Sequence, residues 1–379
     1  MGDISGIFVA DQAEALRAAG FDVRVVHAYV SADRSGPATS AVGGSARVHR
    51  VIARGRREAF DQPRLVIGVC RAALELRRQG FRPDVVHAHT DKAAAAAWAV
   101  SRLLRVPFGV TEHSSEWVDA EGVPPARRRV MLARRSFRAA AFVIAVSTRL
   151  ASGLRSTLGV QSIDVVPNAV DPAFFGRHVG GNEVAHVVTT GSLVREKDFA
   201  LLLRSFAIAR RRIDCRLTII GEGALEAELI RIARELGIED FVTFTGQRPR
   251  SEVVATLATA DVYVCSSSIE TFGVAVCEAL AVGVPVVATR CGGPEDFVTE
   301  AVGVLVDDRN PASLADAVVR VLASPVNSHD TIAEYAWRTF SPPAVAAHLA
   351  VIYDRAGAIS ARGNSAARRE TREAEADPR

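Results

Sequence analysis

The sequence predicts an α/β protein made of two doubly wound units in tandem. Three observations carry this. Apolar, β-branched strand candidates alternate with helical runs along the chain, and they are too continuously apolar to be half-exposed. That pattern belongs to parallel sheets covered by helices on both faces. The candidates fall into two groups, separated by the Pro- and Asn-containing stretch 167–175 and the glycine-rich stretch 176–182. A chain of 379 residues, 49% of them hydrophobic, can also bury two cores.

In order, the first group of strands is expected at 22–30, 84–89, 108–111, 142–146 and 163–166. The second is expected at 186–190, 216–220, 241–245, 261–265, 284–288 and 303–306. A helical pattern opens the chain at 8–19, where a doubly wound unit ordinarily opens with a central strand. Either the first unit lacks that strand or the native start lies upstream of Met1; the second reading is preferred. Residues 33–64 are rich in Arg, Gly and Ser and read as a long loop with an edge strand. Residues 126–138 read as a basic helix with Val130, Ala133 and Phe137 along one side. Its plain reading is a solvated face over a buried stripe; its functional reading is contact with an anionic membrane surface. Two terminal helices, broken at Pro342-Pro343, span 330–354. The expected domains are 1–172, 173–335, a terminal helix 336–356 packing on the first domain, and a disordered tail 357–379 with no apolar face to bury.

A net charge of +3 does not point to a nucleic-acid partner. Cys70, Cys215, Cys265, Cys277 and Cys291 show no metal-ligand or redox spacing. Four of them lie in or beside apolar runs, so they are read as reduced thiols of a cytosolic protein. No run reaches membrane-spanning length and no signal peptide is visible. Arginine replaces lysine everywhere except at Lys92 and Lys197, which draws attention to both.

The most informative stretch is Ser-Ser-Ser-Ile-Glu-Thr-Phe-Gly-Val-Ala-Val-Cys-Glu, 266–278. It joins a strand to an Ala-rich helix. Glu270 therefore sits at a strand's C-terminal end, and Gly273 permits a tight turn. The amides of Phe272, Gly273 and Val274 open the helix and are free to face an anion. Glu278 lies further along the same helix. Two carboxylates around a helix start suit a ligand with a sugar, a diphosphate and a ribose; the bland alternative is two solvated glutamates. His87 and His89 alternate on a strand end and are read as one facing a cleft and the other packing. They lack a third ligand at sensible spacing for zinc.

Several ordered motifs together resemble the retaining GT-B glycosyltransferases of the family 4 type, over nearly all of 6–354. They are Gly-Ile-Phe-Val-Ala-Asp-Gln (6–12), Asp-Val-Val-His-Ala-His (84–89), Val-Thr-Glu-His (110–113), Val-Val-Pro-Asn-Ala-Val-Asp (165–171) and Gly-Ser-Leu-Val-Arg-Glu-Lys (191–197). Glu270 and Glu278, Gly-Gly-Pro-Glu (292–295) and Gly-Val-Leu-Val (303–306) complete the set. The resemblance implies two Rossmann-like domains facing across a cleft, with C-terminal helices crossing back to the N-domain. It also implies transfer of a sugar from a UDP- or GDP-sugar to a carbohydrate or lipid-linked acceptor, without a metal or other cofactor.

By the same resemblance, His113, Lys197 and Glu270 are the catalytic candidates, with Glu278 on the ribose. Ser192, Arg195, Gly223, Gln247, Arg248, Thr271, Phe272, Gly273 and Val274 would bind the donor, and His87 and His89 would lie on the acceptor side. Ser192 stands where the family commonly has arginine, so Arg195 is expected to supply the guanidinium from another angle. The implied setting is cell-envelope or exopolysaccharide synthesis in the cytoplasm, at the inner face of the plasma membrane. A nucleotide-sugar epimerase and a non-catalytic nucleotide-sugar-binding subunit are the rival readings.

Overall fold

In a computed structural model the chain is described over residues 7–31, 39–41, 47–54, 58–118, 125–176, 178–180, 183–324 and 326–357. The fold is α/β, with two halves meeting at a cleft, and every expected strand is found within two residues of its expected bounds.

The C-terminal half holds a six-stranded sheet. Its strands are β8 (Ala185–Thr190), β9 (Cys215–Ile220), β10 (Val242–Phe244), β11 (Val262–Cys265), β12 (Val286–Thr289) and β13 (Gly303–Val306), in the order β10-β9-β8-β11-β12-β13. All pairs are parallel. β11 and β12 are buried along their whole length, which is why they read as unbroken apolar runs. One face packs on α6 (Phe199–Arg210), α7 (Glu226–Glu235) and α10 (Pro311–Ala323). The other packs on α8 (Arg250–Ala258), α9 (Val274–Val282) and α11 (His329–Phe340). The strand order reverses between β8 and β11. In such sheets the crevice at the strands' carboxyl ends at this point is where ligands bind.

The N-terminal half opens with α1 (Ile7–Ala18) and carries two sheets. The four-stranded sheet, β4 (Val86–His89), β5 (Phe108–Glu112), β6 (Phe142–Ala145) and β7 (Asp164–Val165), is parallel throughout. Helices α3 (Asp91–Leu104), α4 (Arg127–Ala139) and α5 (Thr148–Leu158) alternate with its strands. The second sheet bears out the edge strand expected within 33–64 and corrects the long loop around it. β3 (Arg47–Arg54) pairs in parallel with β1 (Arg24–Ser31), short β2 (Thr39–Ala41) adds to its far side antiparallel, and α2 (Glu58–Arg78) follows. Arginines at alternate ends of β3 and a proline inside α2 masked both patterns. The calls on 1–6 and on the tail beyond 357 lie outside the described residues.

Two segments cross between the halves. One is 166–184. The other is the break between α11 and α12 (Pro342–Arg355), where Ser341 caps α12 and Pro342 starts it. α12 then packs on the N-terminal half: Val345, Ala346, Leu349, Ile352 and Tyr353 share a core with Ala15, Leu16, Phe142, Ile144, Val166 and Ala169.

Candidate active site

The carboxyl ends of β8 and β11 open on a cleft of about 430 Å³ walled by both halves. The N-terminal half contributes Phe8, His113, Val146 and Asn168. The other half contributes Thr189 to Ser192, Lys197, and residues from Cys265 to Glu278.

Lys197 is placed by a single 3-10 turn after β8. Asp198, at φ 44°, ends that turn and caps α6 by accepting from the Leu201 amide at 3.2 Å. The Lys197 ammonium reaches Glu270 Oε1 at 2.5 Å. Burial alone would pull the ammonium down, but the Glu270 carboxylate outweighs it and holds the pKa above the usual lysine value, so Lys197 is charged. Glu270 is fixed on all sides. Its carboxylate also accepts from Ser267 Oγ at 2.7 Å, its amide donates to Cys291 O at 2.8 Å, and its carbonyl accepts from Gly293 N at 2.9 Å.

Gly273 caps α9 at φ 93°, a left-handed conformation that disfavours any side chain. The first residues of α9 line the cleft, so amides without intrahelical partners and the positive end of the helix face it. Phe272 anchors this loop from behind: its ring lies 5.3 Å from Phe297 and 6.1 Å from Phe340 of α11. Glu278, one turn into α9, is pushed by burial up to about 7, against the pull of Arg250. Arg250 itself joins the halves, pairing with Asp11 of α1 at 3.2 Å and with Asp171.

Across the cleft stands His113. Its Nε2 is 3.0 Å from His89 Nδ1, and its Nδ1 is buried without a partner. Phe8 packs on its ring at 4.0 Å. The loop is held by Glu112, which is fully buried and accepts from the amides of Asp91, His113 and Ser114 at 2.7, 3.0 and 2.9 Å. Burial and nearby Asp91 raise the Glu112 carboxyl to about 7 despite these three donors.

The expectation that His87 and His89 split between cleft and core is corrected. Residues two apart on a strand share a face, and the two rings stack at 4.8 Å. His87 bonds Tyr353 Oη and Thr111 Oγ1, each at 2.7 Å, while His89 backs His113. Burial lowers the pKa of all three imidazoles, His89 to about 4, so all are neutral at neutral pH. Neither His87 nor His89 walls the cleft.

The structure thus brings together His113, Ser192, Lys197, Glu270, Thr271, Phe272, Gly273, Val274 and Glu278. It places Arg195, Gly223, Gln247 and Arg248 outside the cleft wall. Arg195 is exposed, and Arg248 pairs with Glu252 on the surface. Gly223 serves packing: a Cβ there would meet Leu193 O at 2.5 Å, and one on Gly221 would meet Gly191 O at 1.9 Å. Phe8, Asn168 and Ser267 were not singled out. Phe8 and Asn168 lie within quoted motifs, and Ser267 carries no signal beyond its place next to Glu270. Among the described residues no three His, Cys, Asp or Glu side chains are grouped to hold a metal ion.

Two parallel doubly wound domains with this cleft at the switch point define a GT-B fold. The family models for "Glycosyltransferase Family 4" and "Glycosyl transferases group 1" match residues 5–174 and 177–339. The D-inositol 3-phosphate glycosyltransferase of Pseudarthrobacter chlorophenolicus is 31% identical over 357 residues, covering 87% of this chain and 84% of that protein. Sucrose-phosphate synthase from Thermosynechococcus elongatus superimposes with a TM-score of 0.76 at 22% identity, over 95% of each chain. Anabaena HepE, solved with UDP-glucose, superimposes with a TM-score of 0.65 at 19% identity, over 81% of this chain and 86% of that one. The chain belongs to the group 1, family 4 glycosyltransferases and is a glycosyltransferase enzyme.

Proposed function

We propose that the chain is a retaining glycosyltransferase that moves a sugar from a nucleoside-diphosphate sugar to an acceptor hydroxyl, with no metal needed at the diphosphate. The observation that carries this is the Lys197–Glu270 pair facing the start of α9 at the switch point. As the glycosidic bond breaks, negative charge grows on the departing diphosphate. A charged lysine and oriented helix-start amides stabilise that charge where it develops. Glu270 holds the lysine and meets the sugar hydroxyls, Glu278 accepts from the ribose, and His113, which lines the cleft, approaches the sugar from the other half. Retention follows if the leaving diphosphate takes the acceptor proton on the same face, with no enzymatic nucleophile. HepE, a structural neighbour, was solved with UDP-glucose, which supports a nucleotide-sugar donor.

The reading extends to a lipid-linked acceptor in envelope synthesis at the cytoplasmic membrane face. α4 supports it: Met131 and Leu132 are 71% and 46% exposed among Arg127, Arg128, Arg134, Arg135 and Arg138. Among the described residues no helix is long and apolar enough to cross a membrane. Sedimentation with anionic and neutral vesicles tests this; equal binding to both overturns it.

The test of the main reading is calorimetry with UDP, GDP and ADP, followed by donor turnover and the anomeric configuration of the product by NMR. Binding of one nucleotide and transfer with retention are expected. Inversion, strict dependence on a divalent ion, or epimerised donor without acceptor would each overturn it.

A further inference from the structure

Among the described residues one buried imidazole nitrogen has no partner, Nδ1 of His113. The rest of that side chain is held. Glu112 accepts from the His113 amide at 3.0 Å, Phe8 packs on the ring at 4.0 Å between centroids, and Nε2 is 3.0 Å from His89 Nδ1. Behind it, His87 is satisfied at both nitrogens, by Tyr353 Oη and Thr111 Oγ1. The rings of His87, His89 and His113 stack in sequence, with centroids 4.8 and 5.3 Å apart. Buried polar groups ordinarily find partners, and the exception here belongs to the ring of the three that lines the cleft.

The missing partner also decides where the protons sit. Burial keeps His89 and His113 neutral, so each ring carries one N–H and one bare nitrogen. If His89 Nδ1–H donated to His113 Nε2, the His113 proton would lie on Nδ1, a buried N–H with no acceptor, which is the costly arrangement. In the other arrangement His113 Nε2–H donates to His89 Nδ1 and His113 Nδ1 is bare. The His89 proton then lies on its Nε2, which is not buried without a partner. One hydrogen bond thus sets the tautomer of the ring in the cleft wall.

We propose that His89 is a positioning residue for transfer: by accepting from His113 Nε2–H it fixes that ring's tautomer and angle, and so reserves His113 Nδ1 as an acceptor for a hydroxyl of the donor sugar. His89 acts through His113 and does not itself wall the cleft. Phe8, which lines the cleft beside His113, gives way as the hydroxyl arrives. No proton leaves the sugar in this contact; His113 orients and is not a base, which its lowered pKa suits. The inference rests on the transferase reading for the hydroxyl, and on the geometry alone for the tautomer.

Ring nitrogen NMR on the full chain with labelled histidine reads the tautomer directly, the His113 signals being those missing from His113→Phe. Wild type should carry the His113 proton on Nε2 with Nδ1 bare. In His89→Phe the two nitrogen shifts should approach each other as both tautomers populate, and His89→Leu serves should that variant fail to fold. His89→Asn, whose side-chain oxygen stands near the place of Nδ1, should keep the wild-type pattern. A proton on Nδ1 in wild type, or an unchanged pattern in His89→Phe, overturns the proposal. Transfer is then followed with UDP-glucose, GDP-glucose and ADP-glucose. His89→Phe and His113→Phe should each lower kcat/KM about tenfold, the scale of one lost buried hydrogen bond. The double variant should lose no more than His113→Phe alone, His89→Asn should recover most of the loss, and His89→Phe should bind UDP as wild type does. Losses that multiply, or no recovery in His89→Asn, overturn the positioning role. A chain that holds the expected tautomer but transfers from none of these donors counts against the transferase reading, not against the His89–His113 assignment.

Discussion

Glu278→Gln separates a ribose-binding carboxylate from a merely buried one. Burial holds the Glu278 carboxyl near 7, so wild type passes from acid to carboxylate across the neutral range. Ribose hydroxyls donate hydrogen bonds, and a carboxylate accepts them best, so donor binding favours the ionised form. The sign follows: binding pulls the pKa down, and affinity rises as pH rises through about 7. The apparent dissociation constant then carries a factor of 1 plus ten to the power (pKa minus pH), about 11 at pH 6 and about 1.1 at pH 8, a tenfold change. In free energy this is about 1.4 kcal/mol. The assay is calorimetry from pH 5.5 to 8.5 with an intact nucleotide sugar, whose diphosphate is esterified at both ends and does not itself titrate near 7. Wild type should gain about tenfold in affinity over two pH units, and Glu278→Gln should show a flat profile. A flat wild-type profile, or the same slope in both proteins, would refute the ribose role.

Lys197→Ala should lower turnover on the order of 10²–10³, the usual loss when a donor to developing negative charge is removed; a change below about threefold in steady-state kcat removes Lys197 from that role. Glu112 has a folded pKa above its unfolded value, so the native state holds the extra proton, and stability falls as pH rises from about 4.5 to about 7. Over that span the loss is about 3 kcal/mol, and chemical denaturation of Glu112→Gln at both ends should lack this component of the slope. Gly221→Ala forces a Cβ against Gly191 O, so thermal unfolding should show a loss of about 1–3 kcal/mol and weaker nucleotide binding. Phe340→Ala empties the ring behind Phe272, costing about 3–5 kcal/mol by denaturant titration.

The parts of the molecule legible in the sequence are those set by local pattern. Buried parallel strands such as Val262–Cys265 show as unbroken apolar runs, and the strand-loop-helix around Gly273 shows through its glycine. That pattern put Glu270 and Glu278 around one helix start, while the resemblance to the family brought Lys197 to the same site. What escaped depends on distant partners. β3 exists because it pairs with β1 in parallel, a contact that its own arginine-studded pattern does not announce. The histidine stack needed strand geometry: the period of two puts His87 and His89 on one face, and only the fold shows that His113 completes it. Gly223, expected on the donor through the resemblance, lies against the loop that follows β8, where a Cβ would meet Leu193 O.

The return of α12 has a consequence for how the protein is made. The core that Ala15, Phe142 and Ile144 share with Val345, Leu349 and Tyr353 joins residues that leave the ribosome far apart in time. At roughly 5–20 residues per second, the nascent first half waits on the order of ten seconds or more after Val166 before the helix that seals it emerges. During that wait the second half is synthesised, and the core under α6, α7 and α10 needs nothing from α12. The order of completion is thus inverted relative to the order of synthesis: the half made first is the half finished last. A chain ending short of residue 342 would leave the N-terminal half with one apolar face uncovered.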